Sequence, residues 1–541
     1  MSFSSSPFRI PRDDIAQERE RIDEEIQQLQ DRIYLLRTAR NNLTPISRIP
    51  PEILIRIFTH VQGAWVGRRD FPSHFMRWIG VAHVWTQWRG VALGCASLWT
   101  TIPLRNEAYV RAALERSKSM PLSIGDVSRD HLGLTLEFLR DLSRVKYLRI
   151  SPVEASSWGD AQGLILTQPA PILESFSTEM GCGFPRNLPD SLFNGSAPEL
   201  RRLSLVNCSF NYRDLAFPKL TALHIETPHH RIRPHDLVNV LREMHHLEEV
   251  MLTNAFQGMD SQPLRGIPTY RIPRLRYLHI EDDRFGASEV FFSYISLPIG
   301  ARVHFGSFGS SETGEHSFPI SLQSIIQASH LHQSGIRKMS FDCRDSFRFK
   351  LWSSKSKMDE PLISIHFRGQ LDYSKRSEEW FRACQHLPLQ FVESLSVKGI
   401  IDQQTWQGVL SDCTQLSHLM IQGNSGRHFL RYLIQDFLTY RPPVYMSSDK
   451  GAKIMRTVVL ASLKSLELRS VSLAGLSLED LRSTFVARQR WGACLQLLVM
   501  RPLSEFSAIL VEKLRGSRIR VRLEDDSHRK FTHRASIVPV P

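Results

Sequence analysis

The sequence predicts an α/β chain: an N-terminal helix, a compact three-helix module, and then a long irregular solenoid with a parallel sheet on its concave face and helices outside. Three observations carry this. Isoleucines and leucines recur every seventh residue between positions 15 and 43. A tryptophan-rich helical stretch with a Pro-Pro-Glu start occupies 44–104. Beyond it, the pattern apolar-x-x-apolar-x-apolar returns at a near-constant spacing to position 500. At 541 residues the chain exceeds what one compact core normally holds.

Residues 1–12, serine- and proline-containing without periodicity, read as disordered. Helix 13–43 follows. Ile15, Ile22, Leu29, Leu36 and Leu43 fall seven apart, and Ile26 and Ile33 fill the alternate seam positions. Seven arginines and eight acidic residues between Arg9 and Arg40 give charged, nearly balanced faces. Two seam positions hold Arg19 and Arg40, which shortens the strong part. Short isolated helices are marginal in water. Two readings therefore stand: a dimeric coiled coil through residues 15–43, giving a homodimer, or a helix folded back on the rest of the chain.

The module 44–104 opens at Ile49-Pro50-Pro51-Glu52. Pro51 suits the first position of a helix, where its missing N–H costs nothing. Ile53, Leu54, Ile57, Phe58 and Val61 then form one apolar stripe. A second helical stretch carries Ile79, Val81, Ala82, Val84, Trp85, Trp88 and Val91, with Trp99 after it. So short a segment cannot bury this much apolar surface alone, and an exposed patch of the kind partners use is expected. The insert Gly63–Ser73, with Arg68 and Arg69, reads as a loop.

Ile49-Pro50-Pro51-Glu52-Ile53-Leu54-x-x-Ile57-Phe58, Trp85-x-x-Trp88-Arg89-x-Val91-Ala92 and Leu98-Trp99-x-x-Ile102 together resemble the F-box, most closely that of the large fungal F-box protein families. The resemblance implies a three-helix module that docks on a Skp-type adaptor and, through it, a cullin-based ubiquitin ligase. By that resemblance the adaptor-binding residues are Ile49, Pro50, Pro51, Glu52, Ile53, Leu54, Ile57, Phe58, Trp85, Trp88, Leu98 and Trp99. The chain departs from the family in having Ile49 where leucine is frequent, and His83-Val84-Trp85-Thr86-Gln87 where Val-Cys-Arg often precedes the Trp-Arg pair.

A linker helix at Glu107–Ser117 and a strand-like Pro121–Ile124 fill 105–144. The repeat then begins. Its first six units start at 145, 173, 200, 220, 247 and 275, separated by 28, 27, 20, 27 and 28 residues, the spacing of irregular leucine-rich repeats. Ala301-x-Val303-x-Phe305 alternates in a further unit. The template continues at Ile336, Leu362, Val392, Leu416, Leu463 and Leu495. Cys208 and Asn424 stand three residues after the last apolar position of their units, where such repeats place a terminal Cys or Asn. Return helices are expected at 235–246, 319–330, 378–386, 405–411, 427–440 and 479–490. Gly306–His316 and Pro442–Lys453 read as inserted loops, 145–505 as the solenoid, and 506–541 as a cap with a basic tail. An ordinary α/β domain with buried strands is the competing fold; the constancy of the period favours the solenoid.

Seven widely spaced cysteines without a Cys-x-x-Cys, and a start lacking a signal-length apolar core, predict a cytosolic or nuclear protein. No apolar run spans a bilayer, so no membrane is expected. The net charge of +13 is spread out, apart from a cluster of Arg515, Arg518, Arg520, Arg522, Arg529, Lys530 and Arg534 without interleaved aromatics. Nucleic acid is therefore disfavoured as a partner. No phosphate loop, nucleophile elbow or zinc quartet occurs. The His229-His230 and His245-His246 pairs are adjacent in sequence and so make poor metal clips; Gly181-Cys182-Gly183 has no base placed by sequence. The expectation is a non-enzyme without cofactor or metal: an F-box substrate receptor whose repeats hold a protein substrate. The variable strand positions, which face the concave side on this template, nominate Arg202, Ser204, His224, Tyr277, His279, His418 and Met420, together with Arg201, Thr221, Arg276 and Ser417. The alternative is a repeat scaffold, or a dimerising interaction protein, outside any ligase.

Overall fold

The computed structural model describes residues 12–63, 75–104, 106–125, 139, 141–150, 165–179, 186–215, 217–227, 231–257, 269–283, 285–307, 318–330, 335–353, 360–368, 373–439, 459–490, 492–493, 495–501 and 519–523. The expected N-terminal disorder, the insert after Gly63, Gly181–Gly183, His229-His230, the two inserted loops beyond Ser307 and most of the basic cluster lie outside them. The described residues fall into two compact units. The first holds those through 125 with 144–147. The second holds 139–143 and those from 148 onward.

In the first unit, α1 spans Arg12–Asn42. Its seam side chains, Ile15, Ile22, Ile26, Leu29, Ile33 and Leu36, are all exposed. α2 (Pro51–Gly63) begins at the Pro-Pro-Glu turn, with Glu52 in its first turn. A 3-10 segment (Phe75–His83), α3 (Thr86–Gly94) and a second 3-10 turn (Ala96–Trp99) pack against it. The second expected helix is thus split. Trp85 is extended and caps α3, and the segment before it is wound as 3-10. Trp78, in that segment, is fully buried and meets Trp99 edge-on at 5.3 Å. Phe58 meets Trp88 at 5.4 Å. Trp99 donates from Nε1 to the Ala92 carbonyl (2.8 Å) and stacks on Tyr109 of α4 (Glu107–Arg116). Two short strands, β1 (Thr101–Pro103) and β2 (Leu122–Gly125), pair in parallel. Among the described residues no helix is long and apolar enough to cross a membrane.

The second unit is mixed α/β with a large, mostly parallel, open sheet. After β3 (Val145–Ile150), whose end lies in this unit, come β4 (Ser175–Glu179), β5 (Arg202–Val206), β6 (Ala222–Glu226), β7 (Glu249–Thr253), β8 (Tyr277–Asp282) and β9 (Arg302–Ser307). From β4 to β9 each strand pairs in parallel with the next. β10 (Ile336–Asp342), β11 (Phe347–Ser353), β12 (Ile363–Phe367), β13 (Ser394–Lys398), β14 (His418–Gln422), β15 (Ser465–Arg469), β16 (Leu497–Arg501) and β17 (Arg520–Leu523) continue it. Every repeat from Leu200 onward in the template produced a strand.

Strand alternation builds the core. Residues two apart share a face, so each unit contributes two inward positions. One buried ladder runs through Phe176, Leu203, Leu223, Val250, Leu278 and Val303; the parallel one runs through Thr178, Leu205, Ile225, Leu252, Ile280 and Phe305. Helices α5 (Pro234–Leu241), α6 (Phe285–Tyr294), α7 (Phe318–Ala328), α8 (Tyr373–Cys384), α9 (Gln403–Leu410), α10 (Ser425–Thr439) and α11 (Leu478–Arg490) pack each on the next in chain order. Rings from this row close over the ladders: Phe292 meets Phe305 at 6.1 Å, and Trp380 stacks on Phe341 at 5.3 Å. All six expected return helices formed; α6, rich in apolar residues, was not anticipated.

Two backbone devices recur. First, the residue just past the strand takes a left-handed conformation in β5, β7, β13, β14 and β15: Asn207, Asn254, Gly399, Gly423 and Ser470. The N–H groups of Asn207, Gly399 and Gly423 then donate to the last carbonyl of the neighbouring strand, and that of Asn254 to the penultimate carbonyl of β8. Small or Asx side chains tolerate that region best, and at Gly399 a Cβ would also run into Cys343 Sγ. Second, one carbonyl accepts two successive N–H groups where the next strand begins. Glu174, Arg201, Thr221, Glu248, Glu393, Ser417 and Lys464 all do so. Cys208, by contrast, opens a two-residue strand and is buried, which pushes its thiol up to about 12, and Asn424 is exposed.

Strand order departs from chain order in one place. β9 pairs with β12, then β11 and β10 follow, and β10 pairs with β13. The simple neighbour-by-neighbour stacking expected of the repeats therefore breaks there. The cause is Phe347-Arg-Phe-Lys-Leu, which alternates apolar and basic after a tight turn. It forms a hairpin with β10, and β12 closes its other edge; β11 is antiparallel to both neighbours.

Asp402 caps α9. Its Oδ1 accepts from the Thr405 N–H and its Oδ2 from Thr405 Oγ1, both at 2.8 Å, while its own N–H donates to Ser377 Oγ. Burial alone would raise this carboxyl, but the Thr405 and Ser377 hydrogen bonds outweigh it and hold the pKa below the usual range. Asp402→Ala should cost about 1 kcal/mol at neutral pH. The folded-state pKa is depressed, so this contribution is complete above the ordinary value of 3.8 and is lost as pH falls through the lower folded value. Urea midpoints of the two proteins should therefore differ at pH 7 and converge as the acid is strengthened; a gap unchanged by pH would refute the charged cap.

Candidate functional site

The sequence-nominated residues lie in two places, one in each unit. In the first unit, α2 divides them by helical phase. Leu54 and Phe58 are fully buried, as are Leu98 and Trp99, and these form the module's own core. Ile53 and Ile57, one turn apart, point the other way and stay 42% and 40% exposed. Pro50, Pro51 and Glu52 are exposed beside them, Ile49 is half-buried, and Trp85 and Trp88 are half-buried. Ile46 and Val84 add further exposed apolar surface. A bare stripe of branched aliphatic side chains is costly in water and gains by being covered.

In the second unit, the face opposite the ladders is half-exposed. Strand register sets one row across it: Ser177, Ser204, His224, Met251, His279 and His304, and then, through β12 and the hairpin, Ser364, Lys350 and Ser340, followed by Ser396, Met420 and Glu467. Ser204, His224, Tyr277 and His279 are thus brought together on β5 to β8. Ser204 Oγ meets His224 Nδ1 at 3.0 Å, and Tyr277 Oη meets His279 Nδ1 at 3.2 Å. Arg202 lies exposed at the start of β5, as do Arg201 and Arg276 near their strand starts. His418 and Met420 sit on β14, six strand spacings from β8, or roughly 30 Å at about 4.8 Å each. Arg202, Ser204, His224, Tyr277, His279, His418 and Met420 therefore share one face but not one site, while Arg201, Thr221, Arg276 and Ser417 precede their strands.

Sequence reasoning missed His304, Glu281, Glu226 and His366 on this face. His279-x-Glu281 has strand period 2, and His304 lies inside the Ala301-x-Val303-x-Phe305 unit between its buried residues; that alternation was the available signal. His279 and His304 stack at 4.6 Å with nearly parallel ring planes, and Glu281 Oε1 lies 3.5 and 4.0 Å from their Nε2 atoms. Burial lowers His224; burial and then the neighbouring His224 lower His279. Burial, then His279, brings His304 down to about 4. Burial, then Arg348 and Arg368, does the same to His366. Glu226 is raised by burial and then by Glu179 and Glu281.

In the next row Glu179, Glu226 and Glu281 mark the β4–β8 side, while Arg348, Lys398 and Arg469 stand on the β11–β15 side with Asp342 between the first two and Glu467 paired to the last. The face can therefore offer a partner hydrogen bonds and charges of both signs.

No protein-family model matches this chain, and no curated protein matches it.

Proposed function

We propose that the chain is an F-box-type substrate receptor: the first unit docks on a Skp-type adaptor of a cullin-based ubiquitin ligase, and the open sheet face recruits a protein substrate. The observation that carries this reading is the Ile53–Ile57 stripe, left bare on the helix that opens with the F-box-like Pro-Pro-Glu turn. The strand–helix alternation is read as an irregular leucine-rich-repeat solenoid, supported by the recurring left-handed residue and the doubly accepting carbonyl. Chemistry would be left to other subunits; the chain contributes proximity and orientation. Co-purification of the full chain with the adaptor, against a variant of the bare stripe, tests the reading.

A second reading rests on the exposed heptad seam of α1. There the chain self-associates through residues 15–43 and acts as a scaffold outside a ligase. It expects a dimer in sedimentation velocity that Ile22→Glu with Leu29→Glu converts to monomer. A monomeric wild type discards it.

A further inference from the structure

The geometry points to a metal site on the open sheet face, in which His279 Nε2, His304 Nε2 and a Glu281 carboxylate oxygen bind one divalent transition ion of the Zn²⁺ class. This site stands apart from the adaptor reading and uses no residue of the first unit.

Topology makes the cluster. His279 and Glu281 are two apart on β8 and so share a face. β9 lies beside β8 in parallel register, which sets His304 directly against His279. The Glu281 partner in that register is Gly306. With no side chain at 306, the Glu281 carboxylate leans over β9 toward His304; a Cβ there would sit 3.1 Å from Glu281 Cγ. One donor atom from each of the three residues lies within 4.8 Å of the others. A tetrahedral zinc with bonds of about 2.0–2.1 Å needs donors roughly 3.3 Å apart. The Glu281 oxygen already stands 3.5 and 4.0 Å from the two ring nitrogens.

The stacked rings hold their lone pairs in nearly parallel planes, and rotation about the soft terminal torsion of His304 would turn its lone pair toward Glu281. Tyr277 orients the other ring. Tyr277 Oη lies 3.2 Å from His279 Nδ1; where it accepts from Nδ1–H, Nε2 is left free, the usual support for a metal-bound imidazole. Two imidazoles and one carboxylate suit a borderline ion. Ca²⁺ and Mg²⁺ want more oxygens than the site offers. Water, or a donor from a bound partner, completes the coordination.

The test uses the full chain, stripped with a chelator, and titrated with Zn²⁺ by calorimetry and with Co²⁺ by visible absorption. We expect one tight equivalent above the background of scattered surface histidines, with the absorption intensity of low-symmetry cobalt. Glu281→Gln, nearly isosteric, and His304→Ala should each weaken that event at least about 100-fold. His366→Gln, on the same face outside the cluster, should leave it unchanged. Thermal unfolding without metal shows that each variant is folded; if His304→Ala is not, Glu281→Gln alone decides. A wild type with no tight equivalent, or an affinity indifferent to Glu281→Gln, or equally weakened by His366→Gln, overturns the site.

Discussion

A chain carrying Ile53→Asp and Ile57→Asp will fold as the wild type does and lose capture of a Skp-type adaptor by about 100- to 1000-fold. Covering an aliphatic side chain gains about 1.5–3 kcal/mol. Burying an unpaired carboxylate in its place adds a further penalty. Two such changes on one stripe exceed about 3–4 kcal/mol, and each 1.4 kcal/mol is tenfold in affinity. The fold should survive because neither side chain belongs to the buried core that Leu54 and Phe58 form. Leu54→Asp or Phe58→Asp would be uninformative. Both residues are fully buried against the module's own core, and Phe58 packs on Trp88, so those variants lose binding by unfolding. Circular dichroism beside the pulldown separates the two outcomes. Undiminished capture by the Ile53, Ile57 variant would end the adaptor proposal, as would no capture by the wild type.

The second large effect lies in the helix row. Trp406→Ala should cost about 3–5 kcal/mol, and the loss should be local. Trp406 is fully buried between Trp380 and Phe429, with ring centroids 5.4 Å from each, and its Nε1 donates to the Ser425 carbonyl at 3.1 Å. Removing it empties the contact between α8, α9 and α10 and leaves that carbonyl without this donor. Trp406→Phe keeps a ring and should cost less, nearer the worth of the hydrogen bond and the lost volume. Units stacked in series share energy mainly with their neighbours. Hydrogen exchange should therefore accelerate most in 394–439 and least in β4–β7. Uniform acceleration along the sheet would show one cooperative block instead.

Much of this fold was written in the strand template, because a two-residue alternation with buried leucine, isoleucine or valine leaves little choice of face. Leu203, Leu205, Leu223 and Ile225 went where their spacing put them. The hairpin at β10–β11 was not legible by the same reasoning. Phe347-Arg-Phe-Lys-Leu carries only the alternation, without the leading apolar residue, and pairing direction is set by the turn before it rather than by the strand itself. The first unit shows a different limit. Ile53 and Leu54 are equally apolar and adjacent, and only the placement of Trp78, Trp88 and Trp99 decides which of them is buried. The histidine cluster was hidden because its members belong to two strands 25 residues apart (279 to 304), joined by register alone. The left-handed turn residues had a readable signal: Asn, Gly or Ser two places past the strand's last buried residue, at Asn207 and Gly423 one position before the Cys208 and Asn424 that the repeat pattern nominated.

The interleaved order of β9, β12, β11, β10 and β13 has a consequence for synthesis on the ribosome. β9 ends at Ser307, and its outer neighbour β12 is complete only at Phe367, 60 residues later (367 − 307). At about 5–20 residues per second, the nascent chain carries an unpaired strand edge for roughly 3–12 s. Exposed edges invite pairing with the wrong chain. A translational pause placed within those codons would lengthen the vulnerable interval, whereas the same pause after Phe367 would find that edge already closed.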